Sequence, residues 1–293
     1  MSDGILLIDK PEGFTSFDVI AKLRGMSKIR RIGHAGTLDP MATGVLPCLF
    51  GTAARLCDIM PCDEKIYQTT VLFGISTDTQ DITGKVLSKS DVKITREQLE
   101  SVLPQFRGDI MQTPPMYSAV SVNGKRLYDL AREGVEVERP SRQITVFSLE
   151  MLSFDQAAQT AVFEIKCSRG TYIRTIFHDI GELLGCGAAL TKLRRTASSG
   201  YSETQCITME EAQKLTDSGE LLSRILPVST AFETLPKLNV GQWQGKMLSN
   251  GVPLSLKKLG KLSEEKYSVW CDGVFLGLGT VDFEESCMRL KKF

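Results

Sequence analysis

Histidine is almost missing from this sequence: of its 293 residues only His34 and His178 are histidine. The eight cysteines (48, 57, 62, 167, 186, 206, 271 and 287) include no CxxC pair. A Cys/His zinc site therefore has little to draw on, and no metal is expected. The cysteines are read as reduced, mostly buried thiols of a cytoplasmic protein. No apolar run reaches about 18 residues, which excludes a membrane-spanning helix. The opening MSDGILLIDKPEGF has no basic leader or small-residue cleavage site and is not read as a signal peptide. An excess of one charge is missing too, with 35 basic and 35 acidic residues. That excludes a wholesale polycation while leaving room for a local basic face.

Several signatures of chemistry fail on inspection. Residues 185–190, GCGAAL, lack the third glycine of a dinucleotide loop and follow a helix-like segment. The GK pairs at 84–85 and 245–246 lack phosphate-loop spacing. Residues 77–84, TDTQDITG, lack the alternating acids of a calcium loop. They read as a turn in which Asp81 can still face a site. There is no GxSxG elbow, no internal repeat and no low-complexity segment.

What is present reads as a folded α+β protein, 42% hydrophobic and 24% charged. Gly4–Ile8 is a short buried strand. Ser16 is placed to cap a helix with Val19, Ile20 and Leu23 on one face, ended by Gly25. Residues 66–74 and 162–167 read as strands. Capping boxes at Thr95/Gln98 and Thr208/Glu211 open two helices, the second running to about Leu226. Asn123-Gly124 predicts a tight hairpin. Ser168–Thr171 turns into a helix with Ile176, Ile180 and Leu183 on one face. The lack of a regular βα repeat predicts a mixed, mostly antiparallel sheet. Beyond the link from Pro227 to Pro236, short strand-like pieces broken by Asn-Gly and Asp-Gly turns suggest a small β-barrel.

The densest cluster of unusual residues is RIGHAGTLDP, residues 31–40. It follows a run, 19–33, that carries Lys22, Arg24, Lys28, Arg30 and Arg31 and no acid. Alone, Asp39 before a proline would be a turn-capping residue and the basic run a solvated helix face. In company they mean more. KPEGFTS, HAGTLDPMATGVLP, KIYQTTVLFG, TDTQD and CSRGTYIRTIFHDIG…LTKLRRT occur in that order. Together, over residues 4–226, they closely resemble the tRNA pseudouridine synthase B (TruB) family.

The resemblance implies a pseudouridine-synthase catalytic domain over residues 1–232 and a PUA-like RNA-binding domain over 233–293. It implies an isomerase without cofactor, acting on uridine 55 in the TΨC loop of tRNA. Glycoside hydrolysis typically needs two carboxylates, one to protonate a leaving group and one to activate water. An isomerisation that keeps the detached base bound can work with one. The family's essential aspartate matches Asp39, as nucleophile; addition to the sugar, addition to the base and a glycal route all stay open. Arg174 matches the arginine that positions it, and Asp81 a second acid of the same network. Tyr67 matches a tyrosine stacking on the target base and relaying a proton. Tyr172 and Leu193 match residues lining the uridine pocket. His34 matches a histidine that fills the RNA stack when the target flips out, offsetting part of the unstacking cost. Lys10 is read as a support for the loop.

Residues 109–140 resemble a thumb-like insertion by which stand-alone members grip the T arm, so no guide RNA is expected. A monomer, with no membrane partner, is implied as well. Two rivals remain. A non-catalytic tRNA-binding or folding helper would need no Asp39–Arg174 pair. A hydrolase would need a metal cluster or a clear second acid.

Overall fold

The computed structural model describes residues 3–57, 59–118, 120–122 and 124–293. Gly4–Lys10 (β1) is buried on both faces, Leu6 and Ile8 facing one cluster and Ile5 and Leu7 another. That explains its unbroken apolar run. Next come α1 (Ser16–Ser27), β2 (Ile32–His34), β3 (Thr43–Phe50), β4 (Lys65–Phe73), β5 (Ile75–Thr77), β6 (Val86–Lys89) and α2 (Arg96–Val102). They are followed by β7 (Gly108–Gln112), β8 (Ser121–Val122), β9 (Lys125–Arg126), α3 (Leu127–Arg132), β10 (Arg142–Asp155), β11 (Thr160–Cys167) and α4 (Ile173–Leu183). β12 (Ala188–Ser198), β13 (Tyr201–Ser202), β14 (Ile207–Thr208) and α5 (Met209–Asp217) follow.

One ten-stranded sheet organises this part, in the order β14-β1-β3-β12-β4-β11-β10-β7, with β2 beside β3 and β13 beside β12. Only the β1–β14 and β3–β12 pairs are parallel, so the sheet is mixed and mostly antiparallel, as expected. Helix α4 lays Ile173, Ile176, Phe177 and Ile180 against Val71, Phe163 and Ile165. Helices α1 and α5 cover Leu6, Ile8, Leu46 and Cys48 with Val19, Ile20, Leu23 and Ala212.

Local signals located elements better than their ends. Both capping boxes form as read, at Thr95/Gln98 and Thr208/Glu211. At α1 the cap is Thr15, boxed with Asp18, and Ser16 is released for another task. Gly25 lies inside that helix, which ends when Lys28 turns left-handed at φ 60° and donates its N–H to Arg24. Helix α5 stops at Asp217, well short of Leu226, because Gly219 takes φ +77°. Leu183 is 51% exposed, since Leu184 continues the buried stripe of α4 instead. Strands β8 and β9 pair as the predicted hairpin, with Gly124 at φ +81°; Asn123 itself lies outside the described residues. Three cysteines are fully buried and five only half-buried, fewer buried than the sequence suggested.

The C-terminal segment forms a second, five-stranded sheet. Its strands are β15 (Lys237–Asn239), β16 (Leu254–Ser255), β17 (Lys266–Cys271), β18 (Val274–Asp282) and β19 (Cys287–Lys291), in the order β15-β17-β18-β19-β16. This curled, PUA-like sheet carries a helix that the sequence reading missed, α6 (Gln242–Ser249). Asn250-Gly251 ends that helix and does not turn a hairpin, whereas Asp272-Gly273 does turn one. Tyr267, Val269, Val281 and Met288 give the sheet a core of its own. A second set of its side chains faces away: Phe275, Leu278 and Phe293 pack on Phe232, with ring centroids 5.1 and 5.3 Å apart for the two Phe232 pairs. The polar link therefore does not separate two independent cores. Residues 1–236 alone are expected to fold but to melt roughly 5–10 °C below the full chain, because one large apolar contact is lost. An unchanged midpoint in thermal unfolding would show that the Phe232 cluster contributes nothing.

Candidate active site

Asp39 sits in the loop between β2 and β3, and backbone contacts from four directions fix that loop. Ala35 donates its N–H to Pro47. The Ser16 hydroxyl, freed from capping, accepts from the Leu38 N–H at 2.9 Å and donates to the Leu38 carbonyl at 3.2 Å. Gly13 donates to Pro40 at 2.8 Å, and the fully buried Lys10 ammonium reaches the Pro11, Phe14 and Pro40 carbonyls. Arg195, also fully buried, donates to Val45, Thr37 and Gly36. It can do so because β3 approaches β12 at Gly44, where a Cβ would lie 2.2 Å from the Arg195 carbonyl oxygen. None of these contacts uses the Asp39 carboxylate.

That carboxylate, with its side chain 35% exposed, meets Arg174 instead. Arg174 Nε donates to Asp39 Oδ2 at 2.8 Å across 135 residues of sequence. Its other two nitrogens donate to the carbonyls of Thr79, at 2.6 Å, and Tyr117, at 2.9 Å. One guanidinium, 4% exposed, thus joins the Asp39 loop, the 77–83 turn and the 109–140 insertion. Asp81 lies 4.0 Å from Arg174 Nε but spends its hydrogen bonds on its own turn, accepting from Thr79, from the Thr83 hydroxyl and from the Thr83 N–H. Gln80 adopts φ +64° there, and its side chain accepts from Thr175 one residue after Arg174.

Asp39 and Arg174 open into a cavity of about 200 Å³ lined also by Tyr67, Tyr172 and Leu193. Five of the six residues matched to catalysis or the uridine pocket therefore share one space; Asp81 stands behind Arg174. Burial pushes the Tyr67 phenol up to about 12, so it meets a substrate as a neutral ring. Tyr172 is held by its backbone, exchanging two hydrogen bonds with the buried Gln112 amide. The Arg142 guanidinium lies 5.0 Å over its ring. His34 lines an adjoining depression of about 230 Å³ with Lys65, Arg169 and Ser199. Burial, then Arg195, holds its imidazole below the ordinary histidine value, toward the uncharged form that stacks well.

Sequence reasoning missed Lys65, Gln112 and Arg195, and it gave Ser16 a capping role in place of its grip on Leu38. Three of these four act by gripping backbone in distant segments, which no local pattern announces. Lys65 stood within a quoted motif, KIYQTTVLFG, without being singled out. No group of His, Cys, Asp and Glu suited to a metal occurs among the described residues.

The geometry has counterparts. The N-terminal domain model of TruB family pseudouridylate synthases matches residues 24–173, and the tRNA pseudouridylate synthase B C-terminal domain model matches 174–233. A tRNA pseudouridine synthase B of Stutzerimonas stutzeri is 41% identical over 281 residues, 95% of this chain and 91% of its own. One of Clostridium kluyveri is 39% identical over 292 residues, covering 98% and 99% of the two chains. Among solved structures, a Cbf5-Nop10-Gar1 complex holds a chain that superposes with a TM-score of 0.77 at 24% identity, over 99% of this chain and 84% of that one. That likeness is one of fold. The chain belongs to the TruB family of pseudouridylate synthases.

Proposed function

We propose that this protein isomerises uridine 55 in the TΨC loop of tRNA to pseudouridine, with Asp39 as its nucleophile. The observation that carries the reading is the 2.8 Å contact between Arg174 and Asp39 in the lining of a cavity of about 200 Å³. A non-catalytic binding protein has no use for a carboxylate aimed by a buried guanidinium. In one balanced course Asp39 bonds to C1′ as the N1–C1′ bond breaks and its electron pair leaves with the uracil. The base turns in the pocket, C5 bonds to C1′ with release of Asp39, and the C5 proton passes to water while N1 takes up a proton, so the product is an isomer of the substrate. Arg174 orients the carboxylate, which is the part of catalysis that positioning can supply. Tyr67 stacks on the base, Tyr172 and Leu193 bound it, Asp81 steadies the turn behind Arg174, and His34 fills the vacated stack.

Residues 1–232 form the catalytic domain and 233–293 the PUA-like RNA-binding domain. The insertion at 109–140 grips the T arm directly, so no guide RNA is needed. The Tyr117 carbonyl on Arg174 supports this, because it ties the gripping element to the reacting centre. The test is purified protein with a T-arm hairpin carrying C5-tritiated uridine and no other RNA. Tritium release at that uridine is expected; none would favour the binding-protein rival.

The basic run offers exposed cations at Lys22, Lys28, Arg30 and Arg31. Replacing Arg30 and Arg31 by alanine should weaken tRNA binding and flatten its salt dependence by about two units of slope. An unchanged slope across a salt titration would return these residues to the role of a solvated surface.

A further inference from the structure

Lys65 opens β4, and its side chain stands in the wall that divides the Asp39 cavity from the His34 depression; among the described residues only Thr37 and Lys65 line both. The side chain is half-buried. Among the described residues it makes no ion pair. Its neighbours add to the positive field. A Cβ on Gly36 would lie 3.1 Å from the Lys65 nitrogen and 3.3 Å from an Arg195 guanidinium nitrogen. Arg195 already serves three carbonyls, and among the described residues it makes no ion pair with a carboxylate. A buried cation without an anion is costly unless something negative arrives.

We infer that Lys65 binds the phosphodiester joining the target uridine to its neighbour, where the RNA chain passes over the wall between the two depressions. The inference rests on the tRNA-isomerase reading, since a base held at Asp39 must have its backbone leave the cavity somewhere. The shared wall is the exit that leads to a second space, and the ammonium stands on it. Phosphate recognition by a lysine needs only a point charge, which suits a strand that slides into place.

A supporting consequence concerns pH. Burial, with Arg195 and Arg169 adding repulsion against the weaker pull of Cys167 and Asp63, lowers Lys65 to about 8. A phosphate against the ammonium raises that value, so binding takes up a proton once the free group is neutral. Affinity is then full below pH 8 and falls as pH rises past it.

The experiment compares three T-arm hairpins: unmodified, and with an uncharged methylphosphonate either 5′ or 3′ of the target uridine. Wild-type protein should lose roughly tenfold in affinity with one methylphosphonate, as for a lost charged hydrogen bond. Lys65→Met should bind the unmodified hairpin that weakly and show no further loss with the same methylphosphonate. Independent losses, with the variant as sensitive to both linkages as the wild type, would overturn the assignment. A second arm needs no variant: wild-type affinity should fall between pH 7.5 and 9 for the unmodified hairpin and stay flat for the sensitive methylphosphonate. Equal pH profiles would also overturn it. Tritium release from the unmodified hairpin by wild-type protein separates this failure from failure of the isomerase reading itself.

Discussion

Asp39→Asn is expected to bind tRNA as tightly as the wild-type protein and to form no pseudouridine. The two side chains are nearly isosteric, and the loop that carries residue 39 is built without the carboxylate. Ser16 holds Leu38, Arg195 holds Gly36 and Thr37, and Gly13 and Lys10 hold Pro40. The amide oxygen can still accept from Arg174 Nε, so the pocket keeps its shape. What disappears is the charge, and with it the capacity to bond to C1′ or to take a ribose proton. Turnover should fall by roughly 10⁴-fold or more, the scale seen when a reacting group is removed from an otherwise intact site. In the function proposed, RNA grip is assigned to the basic run, the insertion and the C-terminal sheet, so affinity should be within about twofold of wild type by filter binding. Tritium release at a wild-type rate would refute the role given to Asp39. A parallel loss of binding would show that the carboxylate helps to seat the RNA.

How much of this was legible in the sequence depends on the distance over which each contact acts. Thr95 with Gln98 and Thr208 with Glu211 are local exchanges complete within three residues, and both form as the pattern dictates. Gly25 misled because its intrinsic preference for helix ends yields to the left-handed turn at Lys28, which no residue type there announces. Helix α6 went unread because its N-terminus is Gly241, with no side-chain oxygen to mark it. In the site the same rule holds more strongly. Asp39 and Arg174 stood out only through the family resemblance; nothing local says that side chains 135 positions apart will meet. The roles of Gln112, Arg195 and Ser16 were invisible for a related reason. Each residue grips the main chain of another segment, and a main-chain acceptor leaves no trace in the residue type that carries it.

Arg174→Lys is the substitution that should best separate charge from geometry. The guanidinium presents a rigid planar fork and serves three acceptors on three segments at once, Asp39, Thr79 and Tyr117. A lysine ammonium keeps the charge but is a point donor on a flexible stem, and it cannot reach all three. The Thr79 and Tyr117 carbonyls would lose a charged donor in a site 4% exposed at the arginine. Each such loss costs about 1–3 kcal/mol, so the midpoint of unfolding should drop by roughly 5–10 °C. Asp39 would keep a cation nearby but lose the bond that fixes its rotamer, and misplacement by about 1 Å is enough to cost a hundredfold in rate. The expected result is a fall in kcat of roughly 10²–10³-fold with a smaller rise in KM, because the insertion loses its tie at Tyr117 while the basic run and the C-terminal sheet are untouched. Arg174→Met should be worse in both stability and rate, since it also leaves the half-exposed carboxylate without its ion-pair partner. If the lysine variant instead turns over within tenfold of wild type, charge alone suffices at this position and the three-way fork is a structural convenience.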